Sequence, residues 1–133
     1  MGTALIQGAI RAGVVGAADV IGCDPYEKSR DAFVKATGAT ATADMDAVVA
    51  ASDVILLCTK PQDVSAALTD AVKTAAGGNR LVISIAAGVT LATLEAVTSE
   101  NFRIIRAMPN TPALVGHGAA GFCLGTRANP ADA

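Results

Sequence analysis

The chain has 133 residues, enough for one domain, and a composition of 52% hydrophobic and 17% charged residues supports a packed core rather than disorder. A net charge of −2 and only four aromatic residues, Tyr26, Phe33, Phe102 and Phe122, exclude the basic stripe and stacking platform that nucleic-acid binding requires. No apolar run approaches the roughly 20 residues that span a bilayer, and no secretory pattern opens the chain, so a cytoplasmic protein with no membrane association is expected.

Helical and strand-like segments alternate along the chain. Residues 3–12 place Leu5, Ile6, Ala9 and Ile10 on one helical face before Gly13. A strand is predicted over 19–23, followed by a helix over 26–37 that buries Phe33 and Ala36 and stops at Gly38. Residues 40–42 form a weaker strand candidate. Residues 54–58 are apolar almost throughout, as in strands buried on both faces. The helix predicted over 63–76 carries Val64, Leu68, Ala71, Val72 and Ala75 on one side and ends at Gly77-Gly78. A second apolar strand is predicted at 81–85, and Thr90 reads as the N-cap of a short helix with Leu91, Leu94 and Val97. Strands over 102–106 and 119–124 complete the order, and 128–133 is small and polar, as at a domain boundary.

Such alternation is the signature of βαβ units around a mostly parallel sheet, a single α/β domain over 1–133. The chain opens directly on a helix, where a doubly wound domain has its central strand and a Gly-rich turn. That strand belongs between the strands at 19–23 and 54–58, so two sheet edges are expected to stand unpaired. The 133 residues alone are therefore expected to be destabilised, or to fold with a substitute strand.

The strand ends carry the polar candidates. Asp24-Pro25 comes after the first strand, where an acidic side chain can accept bonds from the ribose hydroxyls of NAD; Asp then Pro is equally an ordinary helix start. Lys28 and Arg30, in the next turn, can neutralise a 2′-phosphate, which leaves NAD against NADP open. Cys58-Thr59-Lys60-Pro61 brings a cation to the carboxyl edge of the sheet, to meet a phosphate, a carboxamide or a carboxylate, or simply to be solvated. Ala86-Ala87-Gly88 lets backbone approach a flat ring, or packs a helix tightly on a strand. Pro109 and Pro112 clamp Asn110 and Thr111 between them in a rigid turn that suits a ligand or a local backbone bond. His117, between two glycines, reads as a solvated loop residue. Cys23, Cys58 and Cys123 are odd in number and lie in or beside apolar runs, so they read as small buried hydrophobes, and no metal-ligand spacing surrounds the single histidine. No Ser-His-Asp set, carboxylate pair or Cys-His pair is visible; hydride transfer needs none, because the protein supplies position and electrostatics.

The stretches Ser84-Ile85-Ala86-Ala87-Gly88-Val89-Thr90-Leu91 and Arg103-Ile104-Ile105-Arg106-Ala107-Met108-Pro109-Asn110-Thr111-Pro112-Ala113-Leu114-Val115 resemble pyrroline-5-carboxylate reductase. The resemblance extends to Thr59-Lys60-Pro61 and to Met1-Gly2-Thr3-Ala4-Leu5-Ile6, which is similar to the residues just after the family's Gly-x-Gly-x turn. It covers the whole chain but only the family's amino-terminal, Rossmann-like cofactor domain. The resemblance implies reduction of 1-pyrroline-5-carboxylate to L-proline with NADPH or NADH, the last step of proline biosynthesis, in a homo-oligomer. It implies that Met1 and Gly2 end the pyrophosphate loop and that Asp24 sits at the adenosine ribose. Cys58, Thr59, Lys60 and Pro61, with Ala86, Ala87 and Gly88, would flank the cofactor toward its nicotinamide, near Asn110 and Thr111. The family often has Ser, Asn or Thr where Asp24 stands. The family's opening strand and its carboxy-terminal helical dimerisation domain are outside the matched residues, and no turnover is expected of the isolated chain. The competing readings are a related NAD(P)-dependent dehydrogenase acting on another substrate and a non-catalytic nucleotide-binding or assembly module that pairs through open strand edges.

Overall fold

The predicted alternation is present in the computed structural model, which describes residues 1–75 and 78–133. Contacts divide the chain into two units, Met1–Val48 with Asn110–Ala119, and Val49–Pro109 with Ala120–Ala133.

In the first unit, helix α1 (Gly2–Arg11) precedes strand β1 (Ile21–Cys23), helix α2 (Glu27–Thr37), strand β2 (Thr40–Thr42) and the start of helix α3 (Met45–Ala51). The glycines do what the sequence asks of them. Gly38 takes φ 73° and closes α2 by donating to the Val34 carbonyl. Gly22 leaves room for the Phe33 ring, whose nearest carbon lies 2.7 Å from where a Cβ would stand. β1 and β2 pair in parallel from Ile21 opposite Thr40 to Cys23 opposite Thr42. Gln7 on α1 ties to α2 by donating to the Ala36 carbonyl at 3.0 Å. This unit buries little: Thr37 and Ala39 are its only fully buried residues.

The second unit holds the main core. Strands β3 (Val54–Leu57), β4 (Arg80–Ser84), β5 (Phe102–Pro109) and β6 (Ala120–Leu124) form one sheet in that order, parallel except for the β5–β6 pair. Val64, Leu68 and Ala71 on helix α4 (Val64–Thr74), at i, i+4 and i+7, bury one stripe. Helix α5 (Leu91–Ala96) adds Leu94, and the sheet adds Val82, Phe102 and Ile104. Thr90 caps α5 as predicted, its hydroxyl accepting from the Thr93 amide at 3.2 Å. The segment after β6 is fastened back. Glu95 Oε1 accepts from the Thr126 amide at 2.6 Å and hydroxyl at 3.0 Å. Arg103 Nε donates to Asp132 at 2.9 Å, and Arg103 also bonds Asn79. The Asn129 amide, donating at 2.9 Å, and then Arg103 hold the Asp132 carboxyl below its ordinary range.

Among the described residues β1 pairs only with β2 and β3 only with β4, so each sheet keeps an open edge. That is the pair of unpaired edges expected from the sequence. It also corrects two expectations. The strand at 54–58 is not buried on both faces, since edge residue Val54 is 54% exposed. Cys23, Cys58 and Cys123 are exposed rather than buried: Cys23 ends the edge strand β1, Cys58 lies just past β3, and Cys123 lies on β6, exposed along most of its length. The predicted helix at 63–76 ends at Thr74, and its last predicted residue, like Gly77, lies outside the described residues. No helix among the described residues is long and apolar enough to cross a membrane.

Candidate functional site

The parallel pairing of β3 and β4 sets Leu57 beside Ser84, so the two segments that leave these strands emerge at one edge of the sheet. Cys58, Thr59, Lys60 and Pro61 leave β3; Ala86, Ala87 and Gly88 leave β4. This is the carboxyl edge, where ligands bind in open α/β sheets. Thr59 is half-buried, and its hydroxyl oxygen is buried with no hydrogen-bond partner. Lys60 is exposed in extended backbone, φ −64° and ψ 151°, ahead of a short 3-10 turn that begins at Pro61. Its ammonium takes no ion pair among the described residues.

Ser84, fully buried, shapes the other segment by accepting from the Ala86 amide at 3.4 Å. Ala86 is buried, whereas Ala87 and Gly88 are exposed, and Gly88 takes φ +75° with open space where a Cβ would stand. Arg106, which the sequence places only at the end of the strand predicted over 102–106, braces this segment by donating from Nε to the Val89 carbonyl at 2.7 Å. Its register opposite Ser84 places it there. A second arginine in this largely apolar strand, three residues after Arg103, is the signal that could have identified it. Arg106 and Gly88 line a depression of about 310 Å³ with Val89, Thr90, Leu91 and Cys123.

Cys58 is exposed as a residue, but protein around its thiol removes enough water to push its pKa up to about 11. At pH 9 a thiol at the ordinary value of 9.0 is about half ionised and Cys58 about 1% so. Cys58 is therefore expected to be alkylated by iodoacetamide far more slowly in the native chain than in urea at that pH, the difference closing as pH rises past 11. Mass-spectrometric labelling rates check this, and equal rates at pH 9 would contradict it.

In the first unit, Met1 is the exposed N-cap residue of α1 and Gly2 its first residue. No side chain caps that end, so its leading amides are free for an anion. Asp24 comes directly after β1 and is half-buried; Oδ1 accepts from the Tyr26 amide at 2.9 Å, and its own amide donates to the Thr42 carbonyl at 3.2 Å. Asn110 and Thr111 are both exposed. Asn110 Oδ1 accepts from the Ala119 amide at 2.9 Å while the Asn110 amide donates to the Ala119 carbonyl at 3.1 Å. The local backbone bond considered for Asn110 thus exists, and its carboxamide N–H₂ takes no hydrogen bond among the described residues. His117 is exposed, as expected, its amide donating to the Pro112 carbonyl.

The family described as NADP oxidoreductase coenzyme F420-dependent matches residues 1–88. Pyrroline-5-carboxylate reductase of Methanosarcina acetivorans is 39% identical over 132 residues, which are 99% of this chain and 48% of the relative. The enzyme of the same name from Haemophilus influenzae is 37% identical over 121 residues, 91% of this chain and 44% of the relative. Among solved structures, a pyrroline-5-carboxylate reductase from Coxiella burnetii superposes with a TM-score of 0.88 at 27% identity, covering 96% of this chain and 47% of that one. Plasmodium falciparum pyrroline carboxylate reductase with NADP bound gives 0.83 at 28% identity, covering 99% and 47%. The chain spans about half the length of these relatives. Helices and parallel strands in this order, with a family match over residues 1–88, make the chain a member of the NADP oxidoreductase coenzyme F420-dependent family, similar over 99% of its own length to about half of a pyrroline-5-carboxylate reductase.

Proposed function

We propose that the chain is the NAD(P)-binding domain, residues 1–133, of an oxidoreductase that reduces 1-pyrroline-5-carboxylate to L-proline with NADPH or NADH. The observation that carries the reading is 39% identity to a pyrroline-5-carboxylate reductase across 99% of the chain. The residues present fit a dinucleotide, because α1 offers uncapped amides and Thr59 holds a buried hydroxyl without a partner. When bound, the dinucleotide supplies a hydride to an electrophilic carbon.

In this reading Met1 and Gly2 end the pyrophosphate loop, the Gly2 amide facing the phosphates, and Asp24 receives the adenosine ribose. Cys58, Thr59, Lys60 and Pro61 line the cofactor toward its nicotinamide, with Thr59 donating its hydroxyl proton. Ala86, Ala87 and Gly88 let the backbone come close to the ring, and Asn110 and Thr111 orient the carboxamide end. Lys60 adds positive charge at the carboxyl edge of the sheet. The reading carries with it a cytoplasmic location and a homo-oligomeric assembly. It is tested by placing residues 1–133 in the corresponding segment of the Methanosarcina acetivorans relative and assaying 1-pyrroline-5-carboxylate and a panel of keto acids. Proline formation supports the reading; turnover of a keto acid alone supports a different dehydrogenase; a folded chimera that binds no dinucleotide overturns it.

Thr59→Val is expected to raise stability by about 1 kcal/mol, since it removes an unpaired buried hydroxyl, and to weaken dinucleotide binding by about fivefold. A thermal melt and a fluorescence titration with NADH and NADPH check both signs; a loss of stability would remove Thr59 from the proposed ligand set.

A further inference from the structure

We propose that Asp24 makes the chain select a dinucleotide whose adenosine ribose is a free 2′,3′-diol, NADH rather than NADPH. The inference rests on the dinucleotide-binding reading above and deepens it. Asp24 stands where β1 gives way to α2, at the carboxyl end of a parallel strand, the position from which an acidic side chain takes the ribose hydroxyls. Its backbone is fixed on both sides: the amide donates to Thr42 on the neighbouring strand, and the carbonyl accepts from Arg30 Nη1 at 2.9 Å. The carboxylate is fixed as well, because Oδ1 accepts from the Tyr26 amide. Oδ2 has no partner among the described residues, and two lone pairs there can receive the hydroxyl protons of a diol.

A 2′-phosphate meets the opposite conditions. It brings close to two negative charges to a carboxylate that cannot turn away. The nearest cation is outnumbered: Arg30, held to the turn by Nη1 bonds to the carbonyls of Asp24 and Pro25, sets one positive charge against the carboxylate of Asp24 and a second one close by. Lys28 is exposed on α2, where water screens it. A second carboxylate lies near the same strand ends, since Asp44 caps α3 through Oδ1 to the Ala47 amide and its own amide donates to the Thr42 hydroxyl. The same charges bear on the neighbouring Cys23 thiol. It is raised above its ordinary value by desolvation first, then by Asp24 and by Asp44, with Arg30 opposing. The local balance is therefore negative, and it favours a neutral diol.

The test compares dissociation constants for NADH and NADPH, read from nicotinamide fluorescence, in the purified chain and in the chimera, each with Asp24 and with Asp24→Asn. Asparagine keeps the acceptor for the Tyr26 amide and removes only the charge. NADH is expected to bind at least about tenfold more tightly than NADPH, and Asp24→Asn is expected to shrink that ratio to about twofold or less, chiefly by improving NADPH. NADPH binding as tightly as NADH overturns the inference while leaving the dinucleotide reading intact. An unchanged ratio in Asp24→Asn also overturns it, by moving selectivity away from Asp24. Binding of neither dinucleotide in either protein overturns both.

Discussion

Replacing Phe102 by alanine is expected to cost about 3–5 kcal/mol, the range for removing a fully buried aromatic side chain. Phe102 is 1% exposed at the start of β5, the strand that joins β4 to β6, and Ile104, fully buried, stands two residues along the same face. A domain of this size is stable by about 5–15 kcal/mol, so the loss is a large share of the total and lowers the melting temperature by roughly 10–20 °C. Phe122 is the control within the same sheet. It lies on the outer strand β6 and is 60% exposed, and its replacement by alanine is expected to cost under about 1 kcal/mol. Melts followed by far-ultraviolet circular dichroism on both variants decide the matter; similar losses would mean that the second unit does not carry the core assigned to it.

Gly125→Ala is expected to cost about 2–4 kcal/mol by a different route. A Cβ at this buried position would stand 2.5 Å from Glu95 Oε1 and 2.9 Å from the Ile104 carbonyl oxygen. The Ile104 oxygen cannot retreat, since it accepts from the Gly125 amide at 2.8 Å. The carboxylate must therefore yield, and with it go both bonds to Thr126 that fasten the chain after β6 to α5. The mechanism predicts coupling: in a Glu95→Ala background the Gly125→Ala cost falls by about 1–2 kcal/mol, because only the carbonyl contact remains. Strict additivity of the two substitutions in chemical denaturation would refute it.

Much of this fold is legible in local chemistry. Gly38 ends α2, Thr90 begins α5, and Thr40-Ala41-Thr42 is a strand with the bounds its composition suggests. Helix α3 is not legible in the same way: it has only seven residues, two of them β-branched valines, and its clearest marker is the Asp44 cap. β5 runs past the predicted end at Arg106 to Pro109 because β6 supplies an antiparallel partner up to Ala120, a tertiary effect that no local pattern contains. The cysteines show the same limit in the other direction. An apolar neighbourhood in sequence implies burial only when a strand has partners on both sides, and those of Cys23 and Cys123 lie at edges. For the candidate site, the positions after β3 and β4 come from strand order, whereas the brace from Arg106 and the commitment of Arg30 to main-chain carbonyls depend on three-dimensional register.

The pairing pattern also bears on how the chain reaches its native state. Among the described residues, three of the four strand pairings are parallel and join residues about twenty or more positions apart. The one antiparallel pair, β5 with β6, has no tight turn to start it, because Asn110–Ala119 intervenes and belongs to the first unit. Most sheet contacts therefore form only after loop closures of about twenty residues or more, and folding slower than that of the microsecond helical bundles is expected.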